Sequence, residues 1–235
     1  MTENRANPQR RATFVLSEVE KRLLVWIAAR LPRFLLPDHL TLIGIFGSVL
    51  ITVAFVLSNR APAWLWLANL GLVINWFGDS LDGTVARVRK IQRPRYGMYV
   101  DHIVDAFSTL AIGLGLGLSP YMLLSIGLAV VIGYLILSIN IYLESLVLAD
   151  FRFGYGVVGP TETRIVLILL NITAMVIGPI PFVVKGIEMT VFDVFGIGIV
   201  LAMMAMLSRR VIRNLHNLGR LEPANVVKED EGSQE

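Results

Sequence analysis

Apolar residues in this chain gather into six runs close to the length a helix needs to cross about 30 Å of hydrocarbon. Short polar breaks separate them. The first run extends roughly from Leu40 to Leu57, after Pro37 and before Ser58-Asn59-Arg60. The second starts near Trp64 and continues past Asp79 to about Ala86, and the third runs from about Met98 to Leu118. The fourth covers Tyr121 to about Leu146, and the fifth begins at Thr161 and stops at Gly178-Pro179. The sixth spans about Phe192 to Leu207. Pro160 stands where proline suits the first turn of a helix, and the other proline and glycine pairs act as breakers. The pattern predicts an all-α polytopic membrane protein with six transmembrane helices.

Ahead of these runs, Val19, Leu23, Leu24, Ile27 and Leu31 recur at helical spacing, while Glu18, Lys21, Arg22 and Arg30 lie mostly elsewhere on the helix. Residues 17–31 are thus expected as an amphipathic helix. Either it lies in the membrane interface with Trp26 at headgroup depth, or it packs on the protein's own cytoplasmic face. The expected organisation is a cytoplasmic N-terminal segment over 1–35, a six-helix domain over 36–213 and a disordered cytoplasmic tail over 214–235, rich in Lys, Glu and Asp at its end.

Composition reinforces the membrane reading. Of the 235 residues, 55% are hydrophobic and only 17% charged, too apolar a balance for an ordinary soluble domain. The absence of cysteine excludes disulfides, thiolate ligands and cysteine nucleophiles. A formal charge of +3 gives no ground for nucleic-acid binding. Where the charges sit says more: most of the 21 Lys and Arg flank the runs on the side of both termini, and the other side keeps Arg60 and Lys185. By the positive-inside rule that side is cytoplasmic.

The candidate chemistry lies on the cytoplasmic side. Asp79 and Asp82 are three residues apart near the end of the second run, and Asp101 and Asp105 are four apart near the start of the third. Each pair shares a helix face. The loop between them is short, so the two helices are expected as antiparallel neighbours whose carboxylates converge. Converging carboxylates repel, and leaving them ionised beside hydrocarbon is costly. Hard divalent cations such as Mg²⁺ or Mn²⁺ relieve that repulsion and usually act together with phosphates. Two ions, or one ion with a carboxylate left as a base, are both compatible with the spacing. Gly83 and Ala86 leave the helix surface open between the acids and Arg87, which can grip phosphate bidentately. Such a site suits transfer of a phosphoryl-linked group to an alcohol.

The run Asp79-x2-Asp82-Gly83-x2-Ala86-Arg87-x9-Gly97-x3-Asp101-x3-Asp105 resembles the defining motif of the CDP-alcohol phosphotransferase family. Leu36-Pro37-Asp38-His39-Leu40-Thr41 is similar to the opening of the first span in many members, with Asp38 where asparagine is usual. The resemblance implies a metal-dependent enzyme of phospholipid biosynthesis that uses a CDP-linked lipid donor such as CDP-diacylglycerol and a small alcohol acceptor, and releases CMP. It implies Asp79, Asp82 and Asp101 as metal ligands and Asp105 as catalytic base or further ligand. Thr41, Gly83, Ala86 and Arg87 would bind the CDP donor. It also implies a homodimer in contact with membrane lipids, in a bacterial or archaeal inner membrane. The alternatives are a CDP-choline or CDP-ethanolamine type of transferase acting on a lipid, and a non-catalytic transporter or scaffold with an acidic cation site.

A phosphorylated acceptor would need a basic pocket, for which Arg152, Arg164, Arg209, Arg210 and Arg213 are candidates. Glu144 and Glu162 would instead suit an amino-alcohol or uncharged acceptor, unless they merely pair with Arg152 or Arg164. Of the three histidines, His39, His102 and His216, only His102 lies between motif acids, and its helical position turns it away from their shared face. Ligation predicts that Asp79→Asn or Asp82→Asn lowers metal and donor binding together; unchanged metal affinity by calorimetry would contradict it.

Overall fold

The structure is a computed structural model and describes residues 17–147 and 160–222. Arg152 and the end of the expected tail fall outside those residues. Seven α-helices are present among the described residues: α1 (Ser17–Arg30), α2 (Pro37–Leu57), α3 (Leu65–Val88), α4 (Pro94–Gly117), α5 (Leu124–Val147), α6 (Pro160–Ile177) and α7 (Val191–Leu221). Five of them (α2, α4, α5, α6 and α7) are long and apolar enough to cross a membrane. The remaining expected span, the second, corresponds to α3, whose 24 residues include Asp79, Asp82 and Arg87. The chain is an integral membrane protein built almost wholly of helix.

Glycine organises the centre. Without a hydrophobic driving force between helices in lipid, close backbone approach through small residues becomes the main source of packing. Here α2 and α3 form the most extensive interface of the fold. A Cβ added at Gly47 would lie 2.5 Å from the Asn75 amide nitrogen and 2.9 Å from the Gly71 carbonyl oxygen. One placed at Gly78 would fall 2.5 Å from the Leu40 carbonyl oxygen. On its other flank α2 meets α4 at Gly115, where a Cβ would lie 2.7 Å from the Thr52 Cα. Apolar side chains fill the remainder: Ile51, Ala54, Phe55, Leu65, Ala68 and Leu72 are buried in one cluster.

Two corrections to the sequence reading concern neighbours. The carboxylate-bearing helices α3 and α4 were expected to pack side by side, yet each packs on α2 and they scarcely touch one another. A short loop limits how far apart two helix ends lie, not whether their faces meet. Further out, α6 attaches to α3, while α5 attaches to α4 and carries α7. Second, an antiparallel hairpin of β1 (Pro181–Val184) and β2 (Ile187–Thr190) interrupts the expected break before the last helix. Its Lys185-Gly186 turn has φ of 49° and 82°, the signature of the two-residue turn whose twist matches a hairpin.

Helix ends are secured by named side chains. The Thr190 amide donates to Asp193 Oδ2 at 2.7 Å, and the Leu123 amide donates to Asp193 Oδ1 at 2.7 Å. One fully buried carboxylate thus caps α7 and ties it to the start of α5. At the other end α7 continues past residue 213 to Leu221, where the sequence reading had already placed the tail. Its apolar positions keep helical spacing there, and Asn214 is buried.

The amphipathic helix packs on the protein. Leu24 and Ala28 of α1 are buried with Leu40, Leu81 and Val85 of α2 and α3, while Val19, Leu23 and Trp26 on its other side stay exposed. Arg89 closes the arrangement. Its guanidinium donates to the carbonyl oxygens of Leu31, at 2.9 Å, and Leu35, at 2.7 Å, satisfying acceptors just beyond the end of α1.

The α2–α3 approach generates a prediction. Gly47→Val should lower stability by about 1–3 kcal/mol, because backbone atoms cannot yield to the added carbons. Gly198→Ala, with open space around it, should leave Tm unchanged or slightly higher. Thermal unfolding in detergent checks both, and equal Tm values for the two variants would contradict the account.

Candidate active site

The space left between α3 and α4 is a cavity floored by α2. Thr41 and Gly44 of α2 line it, with Asn75, Asp79 and Asp82 of α3 and Asp101, Val104, Asp105 and Ser108 of α4. All four motif aspartates therefore face one space. Carboxylate oxygens of Asp79, Asp101 and Asp105 lie within 4.8 Å of one another. Asp101 is exposed, whereas Asp79 and Asp105 are half-buried.

Asp82 sits beside this trio with both oxygens engaged. Thr41 Oγ1 donates to Asp82 Oδ2 at 2.7 Å, and the Gly83 amide donates to Asp82 Oδ1 at 2.5 Å. Each carboxylate oxygen still has a second lone pair, so this restraint orients Asp82 without closing it to a cation. Thr41, expected against phosphate, is placed at the cavity where it holds a carboxylate. Arg87 folds back along α3 and donates to Thr84 Oγ1 at 2.9 Å. Gly83 gives it room: a Cβ there would lie 3.2 Å from the guanidinium. Ala86 is half-buried on the same helix.

The structure adds a residue whose position the sequence could not fix. Arg164 of α6 donates to Asp79 Oδ2 at 2.6 Å and, through Nε, to Asn75 Oδ1 at 3.0 Å. Of the five arginines considered for a basic pocket, this one reaches the acidic cluster. Among the described residues its ion pair is with Asp79 and not with a glutamate at a helix end. Arg210 instead meets Glu144 at 2.8 Å, with both side chains nearly buried between α5 and α7. Glu144 also accepts from Asn140 and Asn214. That carboxylate is a structural link between helices, and the expectation that it pairs with Arg164 gives way, while Arg152 lies outside the described residues. Arg209 and Arg213 are exposed.

Asn75 joins the glycine interface to the site. Its Nδ2 donates to the Gly44 carbonyl oxygen at 3.1 Å and to Ser48 Oγ at 3.0 Å, while its Oδ1 takes the bond from Arg164. A fully used amide of this kind fixes both helix spacing and guanidinium position. His102 stacks on Tyr142 of α5, with ring centroids 4.2 Å apart, and its Nδ1 lies 3.7 Å from Asp101 Oδ2. His39 accepts from the Leu36 amide and helps cap α2, and His216 is exposed on α7.

Asp38, the departure from the usual motif, forms an ion pair with Arg93 at the start of α4. That hydrogen bond raises the arginine above its ordinary pKa. Arg93 also covers the Tyr96 ring at 4.0 Å. Both partners are about half exposed, so the pair adds little stability.

Comparison with known proteins decides the family. The sequence matches the family described as CDP-alcohol phosphatidyltransferase over residues 34–208. The chain belongs to this family. The CDP-alcohol phosphatidyltransferase region runs from the linker before α2 into α7 and so contains every residue lining the cavity. Among similar proteins, cholinephosphotransferase 1 of Gallus gallus is 30% identical over 73% of this chain and 54% of its own length. Cholinephosphotransferase 1 of Danio rerio is 26% identical over 73% of this chain and 47% of its own length. The CDP-diacylglycerol–serine O-phosphatidyltransferase of Encephalitozoon cuniculi is 34% identical over 42% of this chain and 28% of its own length. The chain thus spans about half the length of the cholinephosphotransferases it matches. These relatives are eukaryotic, so they lend nothing to a bacterial or archaeal source. The acidic cluster of this family member is a set of hard oxygen donors, the kind that suits a divalent cation.

Asn75→Leu should remove the partner of the Gly44 carbonyl, Ser48 and Arg164 together. A loss of about 1–3 kcal/mol is expected for leaving buried polar groups unpaired. Thermal unfolding checks it, and a Tm equal to the wild type would mean that the amide links nothing.

Proposed function

We propose that the protein transfers a phosphoryl-alcohol group, in first place a phosphatidyl group, from a CDP-linked donor to an acceptor hydroxyl and releases CMP. The reading assigns the reaction to the cytoplasmic face of the membrane and to phospholipid synthesis. It rests above all on the convergence of four aspartates, all carrying the family motif, on one cavity between α3 and α4.

Asp79, Asp82 and Asp101 would hold Mg²⁺ or Mn²⁺, which neutralises the donor diphosphate and stabilises charge on the leaving phosphate. Thr41 keeps Asp82 aimed at that space. The reading has the donor diphosphate beside Gly83, Ala86 and Arg87, where Arg87 supplies a planar fork for phosphate. Asp105 takes the proton of the acceptor hydroxyl as its oxygen attacks phosphorus. The bond from phosphorus to the bridging oxygen breaks, and CMP carries away the electron pair. Asp105 is half-buried in the wall of the cavity, beside the carboxylates assigned to the metal.

A second reading has a CDP-amino-alcohol as donor and a lipid as acceptor. The cholinephosphotransferases that match over 73% of the chain support it, as the serine O-phosphatidyltransferase, 34% identical over 42% of the chain, supports the first. Both readings use the same cavity. The homodimer expected from the resemblance belongs to the same proposal and is checked by mass in detergent.

Purified protein with Mg²⁺ or Mn²⁺, offered CDP-diacylglycerol with a panel of alcohols or CDP-choline with diacylglycerol, should release CMP in one arm, and the mass of the product lipid names the pair. EDTA should abolish release. Asp105→Asn should lower kcat by about 10²-fold or more while folding and donor binding persist. Near-normal turnover in that variant would rule out Asp105 as the base, and no CMP in any arm would overturn the transfer reading.

A further inference from the structure

We propose that Glu20, on the amphipathic helix α1, is a positioning residue for the site: it fixes the first turn of α6 and thereby the guanidinium that Arg164 presents to Asp79. The proposal rests on the reading of the acidic cavity as the transfer site.

Glu20 Oε1 accepts two hydrogen bonds from two different helices. Trp76 Nε1 of α3 donates at 2.8 Å, and Thr161 Oγ1 of α6 donates at 2.5 Å. Three helices therefore meet at one carboxylate oxygen. Thr161 precedes Arg164 by three residues, so both lie on the face of α6 that meets α3. Trp76 follows Asn75 and precedes Asp79 by the same spacing. Glu20 thus bridges the two turns that supply the Arg164–Asp79 and Arg164–Asn75 contacts.

The bridge stands in the first turn of α6. Among the described residues α6 packs mainly on α3, and apart from the Arg164 bonds themselves a 2.8 Å bond from Asn171 to Asn69 joins the two helices about two turns beyond Arg164. A helix held at one level tilts about that level. The Glu20 bridge supplies the second level, and Arg164 lies between the two. A guanidinium reaching a carboxylate at 2.6 Å responds to small shifts of its backbone. Glu20 touches none of the carboxylates itself, so its influence passes through Thr161 and Arg164.

The test uses the full chain in detergent or lipid nanodiscs. Mn²⁺ affinity is read by electron paramagnetic resonance without substrate, and kcat and KM by CMP release. Glu20→Ala frees the start of α6, so Arg164 leaves Asp79. Mn²⁺ should then bind several-fold more tightly, because a positive charge has left the cluster. With the arginine misplaced, kcat should fall about tenfold or more. Glu20→Gln keeps an oxygen able to accept both bonds and should restore both readouts. Thr161→Val should shift them in the same direction as Glu20→Ala and serves where that variant folds poorly. In an Arg164→Ala background, Glu20→Ala should add nothing further. Wild-type Mn²⁺ affinity and kcat in Glu20→Ala and Thr161→Val would overturn the proposal, as would fully additive losses in the double variant. The resonance series decides this claim by itself; absence of CMP from the wild type would count against the transfer reading alone.

Discussion

The closeness of α2 and α3 is the constraint on which the other features depend. Their backbones meet at Gly44, Gly47, Gly71 and Gly78; an extra carbon would collide with main-chain atoms at Gly47 and Gly78 and crowd the Asp79 amide at Gly44 and the Ile51 side chain at Gly71. In hydrocarbon such an approach yields dispersion contact and shields peptide dipoles, and oily side chains gain nothing from one another that lipid does not offer. Gly78 immediately precedes Asp79, and Gly44 lines the cavity. The same glycines that fasten the helices therefore set the depth at which the carboxylates stand.

From that pair the site acquires its shape by separation. Because α4 attaches to α2 and not to α3, a wedge opens between the two acidic helices, and the four carboxylates look into it from both walls. Had the faces of α3 and α4 met, the acids would have been pressed together in a seam with no room for a phosphate. Restraint comes from polar neighbours: Thr41 and the Gly83 amide hold Asp82, and Asn75 and Arg164 hold the Asp79 wall. Each is a short, directional contact in surroundings of low dielectric, where hydrogen bonds resist reorientation more than in water.

Much of this was legible in the sequence, for reasons that also explain what was not. Span lengths follow from apolar runs, and the grouping of Asp79 with Asp82 and of Asp101 with Asp105 follows from helical periodicity. Periodicity fixes which residues share a face but not which helix that face meets. The gap between α3 and α4 was hidden for that reason, and so was the choice of Asp79 as partner for Arg164. Composition made α1 amphipathic without saying which apolar side was covered; Leu24 and Ala28 proved to be the protein-facing positions and Trp26 an outer one. The hairpin before α7 did carry a local signal in Lys185-Gly186, but its strands are only four residues each, too short to display an alternation. Glu20 offered no signal, since an acid in the first turn of a helix is ordinary.

The order of the pieces along the chain has its own consequence. The carboxylates and the three helices that hold them form one unbroken stretch, from Pro37 to Gly117, while Arg164 is contributed by a helix two elements later. A ribosome working from the N-terminus delivers the negative half of the cluster to the bilayer before the arginine exists. During that interval the acids have Asn75, Thr41 and water for company. The nascent protein must tolerate a more negative cluster than the finished protein, in which Arg164 pairs with Asp79.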